Sequence, residues 1–277
     1  MSSVWLAVIA GVVQGIVEWL PVSSKTMITL IFAAAGYSFG TAYVLGLLAN
    51  MGSFLAALWY FRRDLASALG DARRPFAGTP GARTLRYLIL ATAATGVVGV
   101  PIYELVKHAL NAATGTATML AIGILLLGTS IVNARRERLT RTAQEGALEA
   151  PGPVVSLIVG ACQGLAALPG VSRSAMTVTP LLLRGYSANA ALRFSFLLDV
   201  PALLGAGIVP LIVEHGTARP LAHVGATTVA ALLAVSAVVS FATIDTVLRA
   251  TVRLRSSVIT LVIGVLTIAS AFALRLR

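Results

Sequence analysis

An all-α polytopic membrane protein is the fold class this sequence predicts: six transmembrane helices plus two oppositely inserted re-entrant helical hairpins in an inverted-topology repeat. Three observations lead there. Apolar runs of span length are separated by short arginine-rich stretches. A helix-breaking polar motif occurs twice. The arginine-rich stretches, counted by side, place the two copies of that motif on opposite faces of the membrane.

Composition sets the class. Of 277 residues, 57% are hydrophobic and 11% charged, and the mean hydropathy is +0.90, far outside the soluble range. The apolar runs lack the period-two alternation of barrel strands, so they read as helices. A net charge of +11 raises the question of nucleic acid, but the arginines sit mainly in short connections, as in cytoplasmic loops, and no basic stripe is interleaved with aromatics. Nucleic acid is therefore not an expected partner; membrane lipids are. The single cysteine, Cys162, cannot form an internal disulfide and reads as a small core residue. Val4 to Leu20 lacks a basic leader before it and reads as part of the mature protein.

The repeated motif organises the chain. Its first copy runs Gln14-Gly15-Ile16-Val17-Glu18-Trp19-Leu20-Pro21-Val22-Ser23-Ser24-Lys25-Thr26-Met27; its second runs from Gln163-Gly164 through Leu168-Pro169-Gly170-Val171-Ser172-Arg173-Ser174-Ala175-Met176. Gln-Gly, Leu-Pro, Val-Ser and Met recur in order, and each copy carries a cation just after its Val-Ser. Proline removes a backbone donor and disfavours helix in the residue before it, so each copy predicts a helix, a tight polar turn and a second helix.

In chain order, the first hairpin fills Val4 to about Gly36, with its turn near Pro21 to Thr26. Its arms are too short for a hydrocarbon core of roughly 30 Å at about 1.5 Å per residue, hence the re-entrant reading. A span follows over about Thr41 to Phe61, ending in Trp59 and Tyr60 as interface anchors. Next comes an arginine-rich loop with Arg62, Arg63, Arg73, Arg74, Arg83 and Arg86, where Pro75, Gly78, Pro80 and Gly81 predict irregular backbone. Spans over about Tyr87 to Val106 and Ala117 to Ala134 complete the first half. The second hairpin occupies about Pro153 to Leu183, and spans follow over about Ala188 to Val213, Val224 to Leu248 and Ser256 to Leu274. The result is a single membrane domain over residues 1–277. Its two inverted repeats, about 1–134 and 153–277, are joined by a cytoplasmic loop near 135–152. With the loop after Phe61 inside, the first hairpin enters from outside and the second from inside; Arg275 and Arg277 fall on the outer side and run against this count. In such repeats, sites form near the midplane from broken helices.

Non-helical backbone is tolerated in lipid only where protein or a wet cavity covers it, so the two turns should meet inside the bundle. They would bring together Glu18, Ser23, Ser24, Lys25 and Thr26 with Ser172, Arg173, Ser174 and Thr177. One acid, two cations and several hydroxyls, beside two helix N-termini, make a site for an anion such as phosphate. A carboxylate can also hold a divalent metal or move a proton. Two blander readings stay open: the serines and threonines cap helices, and Glu18 with Arg173 forms a structural ion pair, although intramembrane charges are costly and usually functional. Gln14 and Gln163 suit ligand contact and helix-to-helix hydrogen bonding equally. Asp199 is a further costly acid, with Arg193, Lys25 or Arg173 as partner, and Asp245 with Arg249 reads as a helix-end pair. His108, His215 and His223 lack ligand spacing.

These residues resemble the undecaprenyl-diphosphatase family, the bacitracin-resistance type of integral membrane phosphatase. The likeness is carried by Gln14-x-x-x-Glu18 with Pro21-x-Ser-Ser24, and by Pro169-Gly170-Val171-Ser172-Arg173-Ser174-x-x-Thr177. It extends through Gly52-Ser53-Phe54-Leu55-Ala56 to Arg62-Arg63 and through Phe194-Ser195-Phe196-Leu197-Leu198-x-x-Pro201. The resemblance implies hydrolysis of a polyprenyl diphosphate to the monophosphate on the outer face of the cell membrane, with a divalent metal, Mg or Ca, as cofactor. By the same resemblance, Gln14 and Glu18 take the metal and proton-transfer position and Ser24 is nucleophile or phosphate ligand. Arg173 clamps the phosphate, with Ser23, Lys25, Ser172, Ser174 and Thr177 as its binding neighbours. Where the family usually reads Ser-Ser-x-Gly-His, this chain has Ser23-Ser24-Lys25-Thr26-Met27, so Met27 stands for the histidine and is expected to face the same cavity. A lipid-phosphate transporter or flippase, or a weakly catalytic lipid-phosphate binder, is the competing class. Monomer and homodimer are both open.

Overall fold

The structure is a computed structural model, and it describes residues 3–143, 149–213, 224–251 and 255–275. The loop around Gly146, the connection with Glu214, His215, Arg219 and His223, and Arg253 and Arg277 lie outside the described residues, as do the side chains of Arg249 and Arg275. Among the described residues all regular structure is helical. The elements are α1 (Ser3–Val17), α2 (Ser24–Ala34), α3 (Phe39–Leu48), α4 (Asn50–Tyr60), α5 (Arg62–Gly70), α6 (Pro80–Ala112) and α7 (Gly115–Thr142) in the first part of the chain. After the connection come α8 (Pro153–Gly164), α9 (Arg173–Leu183), α10 (Ala188–Val213), α11 (Ala226–Thr251) and α12 (Ser256–Arg275). Among the described residues, six stretches are long and apolar enough to cross a membrane, α3 with α4 counting as one, and they match the six expected spans. The protein is an integral membrane protein.

The repeated motif falls where the helices break. α1 ends at Val17 and α2 starts at Ser24; α8 ends at Gly164, a 3-10 turn covers Leu165–Ala167, and α9 starts at Arg173. The first break therefore begins at Glu18, three residues before the proline. The loop after Phe61 is more regular than expected, because Arg62–Gly70 is helical. Pro80 and Gly81, read from sequence as loop markers, instead open α6, where the Thr79 side chain caps Ala82 N–H. Proline at the first helical position is pre-organised for a helix start. α6 and α7 also run past the expected span ends, since helix continues where polar ends leave the apolar layer.

Packing exchanges the two halves of the chain. α1 lies along α11, and α8 lies along α6, so the first arm of each hairpin packs on a span from the other half. Small residues permit the approach: Gly11 and Gly15 face Val235 and Val239, while Gly160 and Gly164 face Ala91 and Val98. Both pairs have small-xxx-small spacing, which brings helix backbones close in an apolar medium. α7 and α12 pack on one another with Gly123 and Gly264 at the crossing.

A Cβ on Gly160 would lie 2.1 Å from the Ala91 carbonyl oxygen and 2.7 Å from Ala91 Cα, both backbone, whereas Gly128 in α7 faces open space. Gly160→Ala is accordingly expected to destabilise the detergent-purified protein by about 1–3 kcal/mol. Gly128→Ala is expected to be neutral or stabilising by up to about 1 kcal/mol. Thermal unfolding of both variants checks this, and equal effects would contradict the close α8–α6 contact.

Candidate active site

The two breaks meet. The Gly170 N–H donates to Thr26 Oγ1 at 2.6 Å, and Lys25 Nζ donates to the Val171 carbonyl at 3.0 Å. Gly170 is at φ +94°, and a Cβ there would lie 2.8 Å from the Ile122 carbonyl oxygen, so glycine alone suits this turn. α7 holds both turns from behind. Thr129 Oγ1 donates to the Gly170 carbonyl at 2.7 Å, and Asn133 Nδ2 donates to the Pro21 carbonyl at 2.6 Å. These two residues are one helical turn apart, so one rigid helix face serves both hairpins.

Glu18 is the hub. Gln14 Nε2 donates to its Oε2 at 2.7 Å, the Ser24 hydroxyl donates to the same oxygen, and Arg173 Nη2 bonds its Oε1. Gln14 is held in turn by Asn50 Oδ1 at 3.0 Å and Ser53 Oγ at 3.4 Å. Arg173 Nη2 also lies 3.1 Å from Asp199 Oδ2. That contact is an ion pair by distance without hydrogen-bond alignment, since neither Asp199 oxygen has a hydrogen-bond donor. Of the three partners weighed for Asp199, Arg173 is the one present; Arg193 pairs with Asp64. Asp245 accepts from Tyr60 OH at 3.1 Å. His108 is within 3.9 Å of Glu104 and is exposed, away from the turns.

Lys25 is buried and its ammonium is met by the Val171 carbonyl and, at 3.4 Å, by Ser23 Oγ. It has no carboxylate within ion-pair reach among the described residues, so its charge is held by neutral acceptors. Ser23 occupies the N-cap of α2, yet its hydroxyl is paired with Thr26 Oγ1 at 2.7 Å and leaves the α2 N-terminus uncapped. At α9 the Ser172 hydroxyl accepts from Ala175 N–H at 3.5 Å.

A cavity of about 200 Å³ opens beside these groups. Glu18, Ser23, Ser24, Lys25, Ser172, Arg173 and Ser174 form its polar end. Its other walls are mostly apolar and come largely from α3, α6 and α10, among them Tyr43, Leu47, Val100, Val209 and Pro210, with Asn50, Thr92, Thr95 and Gln163 as polar members. Gln14 is fully buried behind this polar end. Thr177 does not line the cavity: its hydroxyl bonds the Arg173 and Ser174 carbonyls and Ser195. Met27 does not line it either, contrary to expectation: the cavity is met by the first residues of α2, Ser24 and Lys25, and Met27 lies about one turn further along the helix than Ser24.

Sequence reasoning missed Asn50, Thr129 and Asn133 as functional support. Their signal was a polar residue at helical spacing within an apolar span. For a metal, the described residues hold no cluster of three or more His, Cys, Asp or Glu. The oxygen donors nevertheless fit a hard divalent cation: Gln14 Oε1 is buried with no hydrogen-bond partner, next to the Glu18 carboxylate.

Residues 7–269 match the family described as bacitracin resistance protein BacA. The chain belongs to that family. It is 36% identical over 255 residues to an undecaprenyl-diphosphatase of Haloarcula marismortui, covering 90% of each chain. A protein of the same name from Saccharolobus solfataricus is 33% identical over 272 residues, covering 98% of this chain and 96% of its own. One from Methanopyrus kandleri is 36% identical over 270 residues, covering 94% and 93%. In this BacA-family chain, the family match thus spans both helix breaks and all the residues that line the polar end of the cavity.

Proposed function

We propose that this chain hydrolyses an undecaprenyl-type polyprenyl diphosphate to the monophosphate and inorganic phosphate, recycling the lipid carrier for glycan or cell-wall assembly. The observation that carries the reading is the two-sided cavity: a cationic, hydroxyl-rich end built from both turns, continuous with apolar walls between helices. A lipid diphosphate has that same division into charged head and apolar tail. The names of the BacA-family relatives agree with it.

The geometry supports these roles. Ser24 already donates its proton to Glu18, and Glu18 is oriented by Gln14 and Arg173, the arrangement of a nucleophile, its base and a positioning group. Glu18 takes the Ser24 proton as Oγ forms a bond to the terminal phosphorus. The bond from that phosphorus to the bridging oxygen breaks, and the prenyl monophosphate leaves with the electron pair, taking the proton from Glu18 and returning it to the carboxylate. Water, deprotonated at Glu18, then attacks the same phosphorus, Ser24 Oγ leaves and takes that proton back, and inorganic phosphate is released. Arg173 offers a planar fork to phosphate oxygens, Lys25 adds a second positive charge, and Ser172 and Ser174 donate hydroxyl hydrogens. A divalent cation, Mg or Ca, held by Gln14 and Glu18, would supply further positive charge to the phosphoryl oxygens.

The arginine pattern supports a cell-membrane location with the site open to the outer side, the first hairpin inserted from outside and the second from inside. The exchange of hairpin arms between halves supports two inverted repeats. In a Cys162→Ala background, a cysteine at Gly78 is expected to be shielded from an impermeant thiol reagent in intact cells, and one at Ala113 to be labelled. Reversed labelling would overturn this orientation.

Phosphate release from polyprenyl diphosphate by the purified protein, with and without Mg²⁺ or Ca²⁺, tests the activity itself. Glu18→Gln is expected to lower kcat by about 10²–10⁴-fold. Arg173→Lys keeps the charge but loses the fork, and is expected to lower kcat/KM strongly. Both should leave the protein folded. Wild-type turnover in both variants would return the pair to a structural role, and lipid binding without release would favour the transport or binding alternative.

A further inference from the structure

The second carboxylate at the site, Asp199, has no part in the reaction as drawn. It lies in α10, fully buried, between Leu198 and Val200 in an apolar cluster with Phe196 and Leu203. A carboxylate in such surroundings is costly without a cation. Arg173 is the cation within ion-pair reach, its Nη2 3.1 Å from Asp199 Oδ2, and the same Nη2 bonds Glu18 Oε1. One nitrogen of the guanidinium is thus shared by carboxylates from two elements far apart in sequence. Nη1 and Nε have no partner among the described residues, and the side chain lines the cavity. A guanidinium is a rigid plane, so fixing one nitrogen decides where the other two point.

Glu18 gains and loses a proton in the reaction as drawn, so its charge, and with it its hold on Arg173, changes during turnover. Among the described residues Asp199 has no ion-pair partner besides Arg173 and no part in that proton traffic. We propose that Asp199 is a positioning residue for phosphate recognition, pinning Nη2 of Arg173 so that Nη1 and Nε stay presented to the phosphate oxygens. This rests on the phosphatase reading above, in which Arg173 is the phosphate clamp. The apolar wall of α10 that borders the lipid cavity then carries the group that sets the aim of the clamp.

The test uses the full-length purified protein and polyprenyl diphosphate, with the wild type assayed alongside. Asp199→Asn keeps the shape and removes the charge. It is expected to lower kcat/KM on the order of 10- to 100-fold, the scale of a small misplacement of a binding group, with unfolding temperature and elution profile unchanged. In an Arg173→Lys background the same substitution is expected to cost almost nothing more, because there is no fork left to aim. If Asp199→Asn does not stay folded, Asp199→Leu suits the apolar surroundings and should show the same loss. Unchanged kcat/KM in the folded variant, or losses that multiply in full in the Arg173→Lys background, would overturn the positioning role. No phosphate release by the wild type would instead overturn the phosphatase reading, and this inference with it.

Discussion

Lipid cannot hydrogen-bond a broken backbone, and this chain breaks its backbone twice inside an apolar sequence. Each break therefore needs protein partners: the second finds them at the start of α2, and both find one on α7. The Gly170 N–H goes to Thr26, the Val171 carbonyl to Lys25, and the Gly170 and Pro21 carbonyls to two residues of α7. Satisfying the backbone and assembling the site are one operation. Lys25, which ties the first hairpin to the second turn, is also one of the two cations at the end of the cavity.

The ion pairs follow from that closure. Glu18 comes from the first turn, Arg173 from the second hairpin and Asp199 from α10, and Lys25 sits beside them with no carboxylate in ion-pair reach among the described residues. Two buried acids, Glu18 and Asp199, balance the buried Lys25 and the half-buried Arg173 by formal charge, so the site can exist in a low-dielectric interior before substrate arrives. A diphosphate head would disturb that balance, and the divalent cation proposed at Gln14 and Glu18 would offset it. The close helix contacts at Gly11, Gly15, Gly160 and Gly164 hold the hairpins at the depth where these charges meet.

Much of this was legible in the sequence, for a physical reason. A proline, hydroxyl residues and a charge in an apolar run are expensive, so Glu18, Ser24, Lys25 and Arg173 stood out against their surroundings. The breaks and the six spans followed from the same contrast. What stayed hidden was three-dimensional. Asn50, Thr129 and Asn133 are single polar residues in spans, and nothing local says which turn they support. Asp199 had three cations within plausible reach, and only packing chooses Arg173. Thr177 and Met27 shared a motif with site residues, but each lies about one turn further along its helix than the first residues, which meet the cavity. Pro80 and Gly81 fit a loop as well as a helix start, and the Thr79 cap makes them the latter.

The claim on which the rest depends is that Glu18 of one hairpin and Arg173 of the other work as one unit. A double-mutant cycle on phosphate release, with Glu18→Gln, Arg173→Gln and both together, measures that directly. Groups that act as a unit are strongly non-additive, so the double variant should be little worse than the more damaged single variant. Losses that multiply in full would mean that the two residues act independently, and would contradict a single site built from both turns.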